Sequence, residues 1–192
     1  MILASKSPRR KEILENIGFN LVIKSEDIEE VSDKVEVVEK IKDIAHKKVE
    51  AVAKKYPNEY VVGADTIVEV DGDIIGKPKD EEEAKKILQR LSNRSHNVIT
   101  AFSFINKSKD ICIKDVAITK VYFKELSPEM IEWYIASKEP MDKAGAYGIQ
   151  DKGSIFVEKI EGDFFTVMGF PIERFMKRLN ELGIKLKDIE RI

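Results

Sequence analysis

Residues 1–70 alternate between strand-like runs and helix-like segments, and this alternation restricts the possible folds more than any other feature. The apolar pattern predicts strands over residues 2–4, 20–23 and 60–70. Helices are predicted between them over residues 8–17 and 35–56. Strands that alternate with helices are typical of α/β proteins, so the sequence predicts an α/β fold.

The rest of the chain predicts antiparallel pairing as well. Asp71 followed by Gly72 is typical of a β-hairpin turn. The runs "HNVITAFSFI" and "ICIKDVAITKVYF" predict two strands joined by a polar turn. Three more helices are predicted over residues 81–91, 128–136 and 171–182. We therefore expect a mixed twisted sheet with flanking helices.

The length and the charge limit the domain count and the partners. The 192 residues predict a single domain over residues 1–192, with room for two lobes. A formal net charge of -2, without a basic face that carries interleaved aromatic residues, argues against nucleic acid. The apolar runs are far shorter than the ~18 residues of a membrane span, and no signal-peptide pattern precedes the first strand. We expect a cytoplasmic protein with neither a nucleic-acid nor a membrane partner.

The cysteine and histidine residues argue against a metal site of the zinc type. Cys112 is the single cysteine, which excludes an internal disulfide and a thiol-rich metal site. Isoleucines flank it on both sides, so we interpret it as an inert strand residue. His46 and His96 are far apart in the sequence and are interpreted as structural.

Three cations follow the start of the first predicted helix. Ser7 and Pro8 are typical of an N-cap and a first helical position. Arg9, Arg10 and Lys11 then add positive charge to a turn whose exposed N–H groups are already partly positive. A bound anion would convert this repulsion into attraction, which makes the turn a candidate anion site.

Asp65 lies inside the apolar run "VVGADTIV". An unpaired carboxylate is costly to bury, so Asp65 needs a cation or a proton. It is either an aspartate at a strand end that caps a turn, or a metal ligand or general base in a cleft. Gly63 beside it would let a ligand approach the backbone.

Two lysines are further candidates. Lys48 lies near the centre of the apolar stripe of the helix predicted over residues 35–56. Either its stem packs on apolar surface while its amine reaches solvent, or its ammonium reaches an anion in the interior. Lys77, in "GKP", follows a hairpin strand and is weak evidence by itself, because such a lysine is most often solvated.

Two loops complete the pattern. Glu30 belongs to an acidic run that is either a solvated face or the source of a second carboxylate for a divalent ion. In "KAGAYGIQ", Gly145 and Gly148 permit a backbone whose bare N–H groups can cradle an anion or a base, although such a segment can equally be a plain loop. Together the cations, the carboxylates and the helix start predict a site for a polyphosphate with a divalent metal.

At these residues the sequence resembles the Maf proteins (septum-formation-inhibitor-like), which are nucleoside triphosphate pyrophosphatases. The resemblance rests on "LASKSPRRKEIL", "EDIEE", "AHKKVEAVA", "GADTIVEVDGDIIGKPKD", "LQRLSNRSHNVITA" and "EPMDKAGAYGIQDKGSIFVEKIEGDFFTVMGFPI". These segments occur in the family's order and cover nearly the whole chain. The resemblance implies a mixed α/β fold with two lobes around a central cleft, similar to inosine triphosphate pyrophosphatases, and a homodimer.

The resemblance also implies which residues bind the substrate's phosphates. Ser5, Arg9 and Arg10 would hold phosphates, and Lys48 and Lys77 would reach the triphosphate. These are the cations that the residue pattern already singles out, together with a hydroxyl that precedes them.

Metal binding and specificity are implied in the same way. Asp65 would be the proton acceptor and, with Glu30, would serve a divalent metal cation, Mg²⁺ or Mn²⁺. The intact "AGAYGIQ" and "GADT" pieces resemble the branch that acts on dTTP and UTP rather than the branch that acts on 7-methyl-GTP. Arg9, Thr66 and Gln150 match that branch's specificity determinants.

The implied reaction is hydrolysis at the α-phosphorus, which releases pyrophosphate and a nucleoside monophosphate in a house-cleaning role for the nucleotide pool. The amide of Gln150 offers both a donor and acceptors, which match the carbonyls and N3–H of uracil or thymine better than the edge of cytosine. Two alternatives stay open: a non-catalytic nucleotide-binding regulator of cell division, and a 7-methyl-GTP pyrophosphatase.

Overall fold

Seven strands form one sheet in the computed structural model, which describes residues 1–192. The strands are β1 (Ile2–Leu3), β2 (Val22–Ile23), β3 (Val61–Val70), β4 (Asp73–Ile75), β5 (Ser95–Asn106), β6 (Ile111–Phe123) and β7 (Val157–Glu161). Their order in the sheet is β2-β1-β3-β5-β6-β7, and β4 pairs with β3. β1 is parallel to β2 and β3, whereas the β3–β4 and β6–β7 pairs are antiparallel. The predicted mixed α/β fold is therefore confirmed.

Six α-helices accompany the sheet. They are α1 (Pro8–Asn16), α2 (Val37–Lys55), α3 (Glu81–Leu91), α4 (Pro128–Ala136), α5 (Phe164–Met168) and α6 (Ile172–Glu181). Short 3₁₀ segments lie at Glu139–Asp142, Ala144–Ala146, Lys152–Phe156 and Leu186–Arg191. None of the helices combines the length and the apolar character that crossing a membrane requires.

Capping side chains set the predicted helix starts. The Ser7 hydroxyl accepts a hydrogen bond from Arg10 N at 3.5 Å, and the Asp80 carboxylate accepts one from Glu83 N at 2.7 Å. Ser127 caps α4 in the same way as Ser7 caps α1. The predicted bounds of α3 and α4 are confirmed, and those of α1, α2 and α6 differ by one or two residues at an end, where helices fray.

The predicted β-hairpin is present between β3 and β4. Val70 pairs with Asp73, so Asp71 and Gly72 form a two-residue turn. Both turn residues have positive φ, 55° and 84° respectively. Asp-Gly meets this demand because a short polar side chain and a missing Cβ tolerate the left-handed region.

The chain forms two compact units. The first comprises residues 1–65, 100–117 and 169–192, and the second comprises residues 66–99 and 118–168. The chain passes from one unit to the other within β3, β5 and β6. A single domain over residues 1–192 stays a prediction.

Aromatic residues fill the core of the first unit around Phe175 of α6. Its ring centroid lies 5.8 Å from that of Phe19, 5.5 Å from those of Phe102 and Phe104, and 5.3 Å from that of Phe170. A second apolar cluster in this unit consists of Ile2, Ala4, Val49, Val52, Ala53, Val61 and Ile105. This cluster packs the buried stripe of α2 against β1, β3 and β5.

The second unit has its own aromatic core. The ring centroid of Phe123 lies 4.7 Å from that of Tyr147, 4.9 Å from that of His96 and 5.8 Å from that of Phe156. Helix α3 packs against α4 and against the 3₁₀ segment Ala144–Ala146. The glycine-rich segment is therefore part of this unit's packed structure.

Two arginines of α6 hold a buried carboxylate in the first unit. Asp115 of β6 is 5% exposed, and its oxygens accept hydrogen bonds from Arg178 Nε and Val116 N and pair with Arg174 Nε at 2.9 Å. Burial alone would raise the pKa of Asp115, but these hydrogen bonds outweigh it and lower the pKa below its ordinary value. The Asp115 carboxylate therefore joins β6 to α6 most strongly when it is charged.

We predict that Asp115→Asn lowers the free energy of unfolding by about 1–2 kcal/mol at neutral pH, because the amide cannot accept from both arginines as a carboxylate does. Since the folded-state pKa is depressed, the carboxylate's contribution is complete above its unfolded pKa of about 3.9 and is lost as the pH falls through the folded-state pKa. Urea unfolding at pH 7 and pH 3 measures the difference, with the exposed Asp27→Asn as control. A difference from wild type that is equally large at both pH values would contradict the prediction.

Candidate functional site

The ammonium of Lys48 lies between two carboxylates in the first unit. Lys48 Nζ is 2.9 Å from Asp65 Oδ1 and 2.8 Å from Glu30 Oε2. The side chains of Lys48 and Asp65 are 17% and 16% exposed, whereas that of Glu30 is 60% exposed. Of the two hypotheses for Lys48, the ammonium that reaches an anion in the interior is confirmed, and that anion is the mostly buried carboxylate of Asp65. Glu30, which shares the ammonium, is largely exposed.

Asp65 is the fifth residue of the ten-residue strand β3. The alternative of an aspartate at a strand end that caps a turn is therefore wrong, because the strand continues on both sides of it. The cation that a carboxylate in this apolar run requires is Lys48. The side chain keeps some exposure, so solvent or a ligand can reach it.

Lysines of α2 also hold the loop that carries Glu30. Lys47 Nζ donates to the carbonyl oxygen of Val31 at 2.9 Å, and Lys55 Nζ contacts Glu26 Oε2 at 2.5 Å. Glu30 therefore lies between two tethered positions in a segment without regular secondary structure. The acidic run is therefore not only a solvated face, since Glu26 and Glu30 pair with lysines of α2.

Ser5 and Arg10 form a second part of the same unit. Arg10 Nη1 donates to Ser5 Oγ at 3.1 Å, and Arg10 Nε donates to the carbonyl oxygen of Gly169 at 2.9 Å. Ser7 N also donates to Ser5 Oγ, at 3.2 Å. A hydroxyl has two acceptor lone pairs and one donor, so the capacity that Ser5 has left is its O–H. That donor is the group that a bound anion requires.

Arg10 is near the carboxylate pair. Burial lowers its pKa below the ordinary value, while the negative charges of Asp65 and Glu30 raise it and the positive charge of Arg9 lowers it. Three cations, Arg9, Arg10 and Lys48, thus lie with two carboxylates, Glu30 and Asp65, which gives a local balance of 3 − 2 = +1. An arginine stays protonated at neutral pH even after such a shift, so the balance favours an anionic ligand.

Lys11 differs from the two arginines that precede it. Its Nζ lies 3.6 Å from Glu15 Oε1, one helical turn away, and both side chains are nearly half exposed. It is a solvated helix-surface residue and takes no part in this group. Sequence reasoning missed Gly169, because a backbone carbonyl that accepts from a distant arginine leaves no signal in residue type.

The expectation that Gly63 leaves room for a ligand is wrong. A Cβ at Gly63 would lie 2.8 Å from Val49 Cγ2 and 3.3 Å from both the Cβ and the carbonyl oxygen of Ala4. The space is therefore filled by α2 and by the residue that follows β1. Gly63 is required by helix–sheet packing, which brings the helix of Lys48 close to the strand of Asp65.

The expectation of an anion cradle in "KAGAYGIQ" is also wrong for its two glycine N–H groups. Gly145 N donates to the carbonyl oxygen of Gly76 at 3.1 Å, and Gly148 N donates to the hydroxyl of Tyr134 at 3.0 Å. A Cβ at Gly145 would lie 2.6 Å from Val68 Cγ2. These glycines serve close packing and a positive φ of 71° at Gly145, rather than a bare N–H surface.

Three predicted residues belong to the second unit. Thr66 directly follows Asp65 in β3 and is half-buried, and Lys77 is exposed between β4 and α3. Gln150 is half-buried, yet its side-chain carbonyl oxygen is buried and accepts no hydrogen bond in the structure. A buried acceptor of this kind is costly to leave unpaired, which makes Gln150 a candidate to meet a donor on a ligand.

No group of three or more histidine, cysteine, aspartate or glutamate side chains is arranged to hold a metal ion. The Nδ1 atom of His46 hydrogen-bonds with Ser103 Oγ at 3.3 Å, and the Nε2 atom of His96 with the Tyr147 hydroxyl at 2.8 Å. Burial lowers the pKa of His96 to about 4, so it is neutral at physiological pH. Both histidines are structural, as predicted. Cys112 is a strand residue, also as predicted, but it is exposed.

Comparisons with known proteins agree with these observations. A family model described as "Maf-like protein" matches residues 1–182. A protein of Fusobacterium nucleatum named dTTP/UTP pyrophosphatase is 52% identical over 192 residues, covering 100% of both chains. Proteins of the same name from Pyrococcus furiosus and Bacillus velezensis are 48% and 46% identical, over 98% of both chains and over 96% of this chain and 97% of the relative, respectively.

The fold is similar to that of solved structures. A HAM1 protein from Coxiella burnetii superposes with a TM-score of 0.50 over 94% of this chain and 98% of its own, at 15% identity. At this identity the likeness concerns the fold alone, and it agrees with the mixed sheet and flanking helices described above.

We predict that Gly63→Ala lowers the free energy of unfolding by about 1–3 kcal/mol, because the stiff side chain of Val49 and the backbone of Ala4 cannot both move aside. Gly76→Ala is the matched control, since nothing lies within 4 Å of a Cβ at that position. Urea unfolding of the two variants measures the effect. Equal stability of the two variants would show that the space at Gly63 is open after all.

Proposed function

The chain belongs to the Maf-like protein family, and from this membership we propose that it hydrolyses dTTP and UTP to the nucleoside monophosphate and pyrophosphate. The proposal includes modified pyrimidine nucleotides as possible targets and a house-cleaning role for the nucleotide pool. We further propose that the enzyme is a cytoplasmic homodimer.

The observation that carries the proposal is the convergence of Asp65 and Glu30 on the ammonium of Lys48. A carboxylate that receives a proton and a cation that neutralises phosphate must lie close together in a phosphoanhydride hydrolase. Here the two kinds of group are in direct contact, with the Lys48 and Asp65 side chains mostly buried but still partly exposed. The names of relatives that match this chain along its whole length support the assignment.

The triphosphate would be held by cations and by the start of α1. Arg9 and Arg10 follow the N-cap of that helix, whose first N–H groups favour an anion. The Ser5 hydroxyl would donate a hydrogen bond to a phosphate oxygen, because its acceptor lone pairs already receive hydrogen bonds from Arg10 and Ser7. Lys48 and Lys77 would supply further positive charge to the β- and γ-phosphates.

The donor chemistry of Glu30 and Asp65 fits a hard divalent cation. Carboxylate oxygens are the ligands that Mg²⁺ and Mn²⁺ prefer, and Mg²⁺ commonly takes one or two carboxylates together with substrate phosphate oxygens. Two converging carboxylates without a third ligand match that arrangement better than they match an all-protein metal site. When bound, the metal would neutralise the negative charge that develops on the leaving pyrophosphate.

In the proposed mechanism Asp65 orients a water molecule and accepts its proton as the water oxygen attacks the α-phosphorus. The new bond joins that oxygen to phosphorus, and the bond from phosphorus to the bridging oxygen of the β-phosphate breaks. Arg9, Arg10 and Lys48 stabilise the charge on the pyrophosphate as it leaves. The reaction consumes one water and needs no covalent intermediate.

Recognition of the base is proposed for Thr66 and Gln150. The unpaired, buried carbonyl oxygen of Gln150 suits the N3–H donor of uracil or thymine, and its amide nitrogen suits a neighbouring carbonyl. Cytosine has an acceptor at N3 and a donor amino group at C4, so a Gln150 amide in the orientation that suits uracil would point its carbonyl oxygen at an acceptor. The discrimination between bases thus follows from an unfilled acceptor rather than from pocket size.

We predict that Asp65→Asn lowers turnover of UTP about 100-fold or more, because an amide cannot accept the proton of the attacking water. Binding of a non-hydrolysable UTP analogue, measured by calorimetry, should remain detectable, since the phosphate-binding cations are unchanged. Asp73→Asn, at an exposed carboxylate of β4, is the control and should release pyrophosphate at the wild-type rate. Near-normal turnover in Asp65→Asn would reject its role as the base.

We predict that the purified protein turns over UTP and dTTP with a higher kcat/KM than CTP, in assays of pyrophosphate release with Mg²⁺ and with Mn²⁺. Gln150→Ala should reduce this preference about tenfold, the value of a lost hydrogen bond to a buried partner. The chain's other glutamine, the exposed Gln89 of α3, provides the control Gln89→Ala. Efficient turnover of CTP with poor turnover of UTP would overturn the assignment of substrate.

A further inference from the structure

The buried side chain of Tyr134 contacts the segment that carries Gln150. Its hydroxyl accepts a hydrogen bond from Gly148 N at 3.0 Å and donates one to Glu139 Oε1 at 2.8 Å. The ring is fully buried and packs edge-on against Phe156, with 4.9 Å between the centroids. One hydroxyl therefore connects helix α4, the 3₁₀ segment that follows it and the start of the Gln150 segment.

The carboxylate of Glu139 holds the other end of that segment. Lys152 N donates to Glu139 Oε2 at 3.3 Å, and Gly153 N donates to Glu139 Oε1 at 3.4 Å. The Tyr134–Glu139 pair thus binds backbone N–H groups on both sides of Gln150, at residue 148 and at residues 152 and 153.

The ends of residues 148–153 also contact each other. A Cβ at Gly153 would lie 2.7 Å from the carbonyl oxygen of Gly148 and 2.9 Å from the Tyr134 hydroxyl. Only a glycine at position 153 permits this approach. Residues 148–153 therefore form a loop whose two ends lie close together, next to the Tyr134 hydroxyl. We name residues 148–153 the glutamine loop.

The side chain of Lys143 also packs against the glutamine loop. Its stem is buried, and a Cβ at Gly148 would lie 2.7 Å from Lys143 Cε. Its ammonium donates to the carbonyl oxygen of Glu139 at 2.9 Å and to Asp142 Oδ1 at 2.8 Å. The residue that supports the start of the loop is therefore tied to the residue that binds its end.

We propose that Tyr134 and Glu139 are positioning residues for base recognition, because together they clamp both ends of the glutamine loop and so hold the Gln150 carbonyl at a fixed place. This inference rests on the proposed function of Gln150. A single side-chain amide discriminates between bases only when its backbone is held, since a mobile loop would let the amide rotate to suit either edge.

The hydroxyl of Tyr134 is suited to this task at any physiological pH. Burial, together with the hydrogen bond to Glu139, raises the pKa of Tyr134, so the hydroxyl keeps the proton that it donates to the carboxylate. Its lone pairs then remain available to Gly148 N. Neither group touches substrate in the proposed mechanism, so both act through Gln150.

The test is Tyr134→Phe, which keeps the packed ring and removes the hydroxyl. We expect KM for UTP to rise about tenfold and the preference for UTP over CTP in kcat/KM to fall by a similar factor, with kcat changed less than threefold. The matched control is Tyr122→Phe. That tyrosine also donates to a carboxylate, Glu161 Oε2 at 2.9 Å, but it lies at an exposed site outside the glutamine loop.

Two further variants keep the test decisive if Tyr134→Phe folds poorly. Glu139→Gln retains an acceptor and should lose less of the UTP preference than Glu139→Ala, and both are assayed well below their melting temperatures. A purely structural role would lower the melting temperature of these variants without changing the ratio of UTP to CTP turnover.

The outcomes separate this inference from the proposed function. If wild-type protein prefers UTP and Gln150→Ala reduces that preference, but Tyr134→Phe and both Glu139 variants keep it, the positioning role is wrong and the proposed function stands. If wild-type protein releases no pyrophosphate from UTP or dTTP, the proposed function itself fails. A loss of preference in Tyr134→Phe or in the graded Glu139 pair, with Tyr122→Phe unchanged, supports the positioning role.

Discussion

The shared ammonium of Lys48 is the interaction on which the candidate site depends. A carboxylate in an apolar strand is unfavourable without a partner, and β3 carries one at Asp65 because α2 brings a lysine to it at 2.9 Å. The same nitrogen binds Glu30, which belongs to a loop without regular structure. Helix, strand and loop are therefore held together by one cation.

This arrangement has a consequence for ligand binding. Lys48 satisfies both carboxylates in the protein alone, and the arginines that follow the start of α1 bring the local balance to a net positive charge. A triphosphate would bring several negative charges and a divalent metal two positive ones, so the group of residues stays near neutrality when both bind. The repulsion among the cations then favours ligand binding, because the negative charges of the triphosphate reduce it.

In the second unit, packing and hydrogen bonds restrict the backbone that carries one polar side chain, that of Gln150. Gly148 and Gly153 allow the chain to fold back on itself. The buried Tyr134 of α4 and the half-buried Glu139 of the following 3₁₀ segment bind the backbone on both sides of Gln150. The hydrogen-bonding capacity of the loop's first N–H is used internally, which is why it cannot cradle an anion. The side-chain carbonyl oxygen of Gln150 accepts no hydrogen bond within the protein, and we propose that this atom recognises the base.

The sequence alone determined most of the secondary structure and which charged residues are candidates for the site. Periodicity, capping residues and the Asp-Gly turn predicted the strands except β7 and the helices except α5 to within a few residues, because these signals act over short distances along the chain. The conflict between a carboxylate and its apolar neighbours also identified Asp65 as a residue in need of a cation. Only the tertiary structure decided that Lys48 is the cation beside Asp65 and shares its ammonium with Glu30, that Gly63 serves packing, and that Tyr134 and Glu139 hold the glutamine loop. Each of these depends on groups distant in sequence, and residue type does not record which distant atom fills a space or accepts a hydrogen bond.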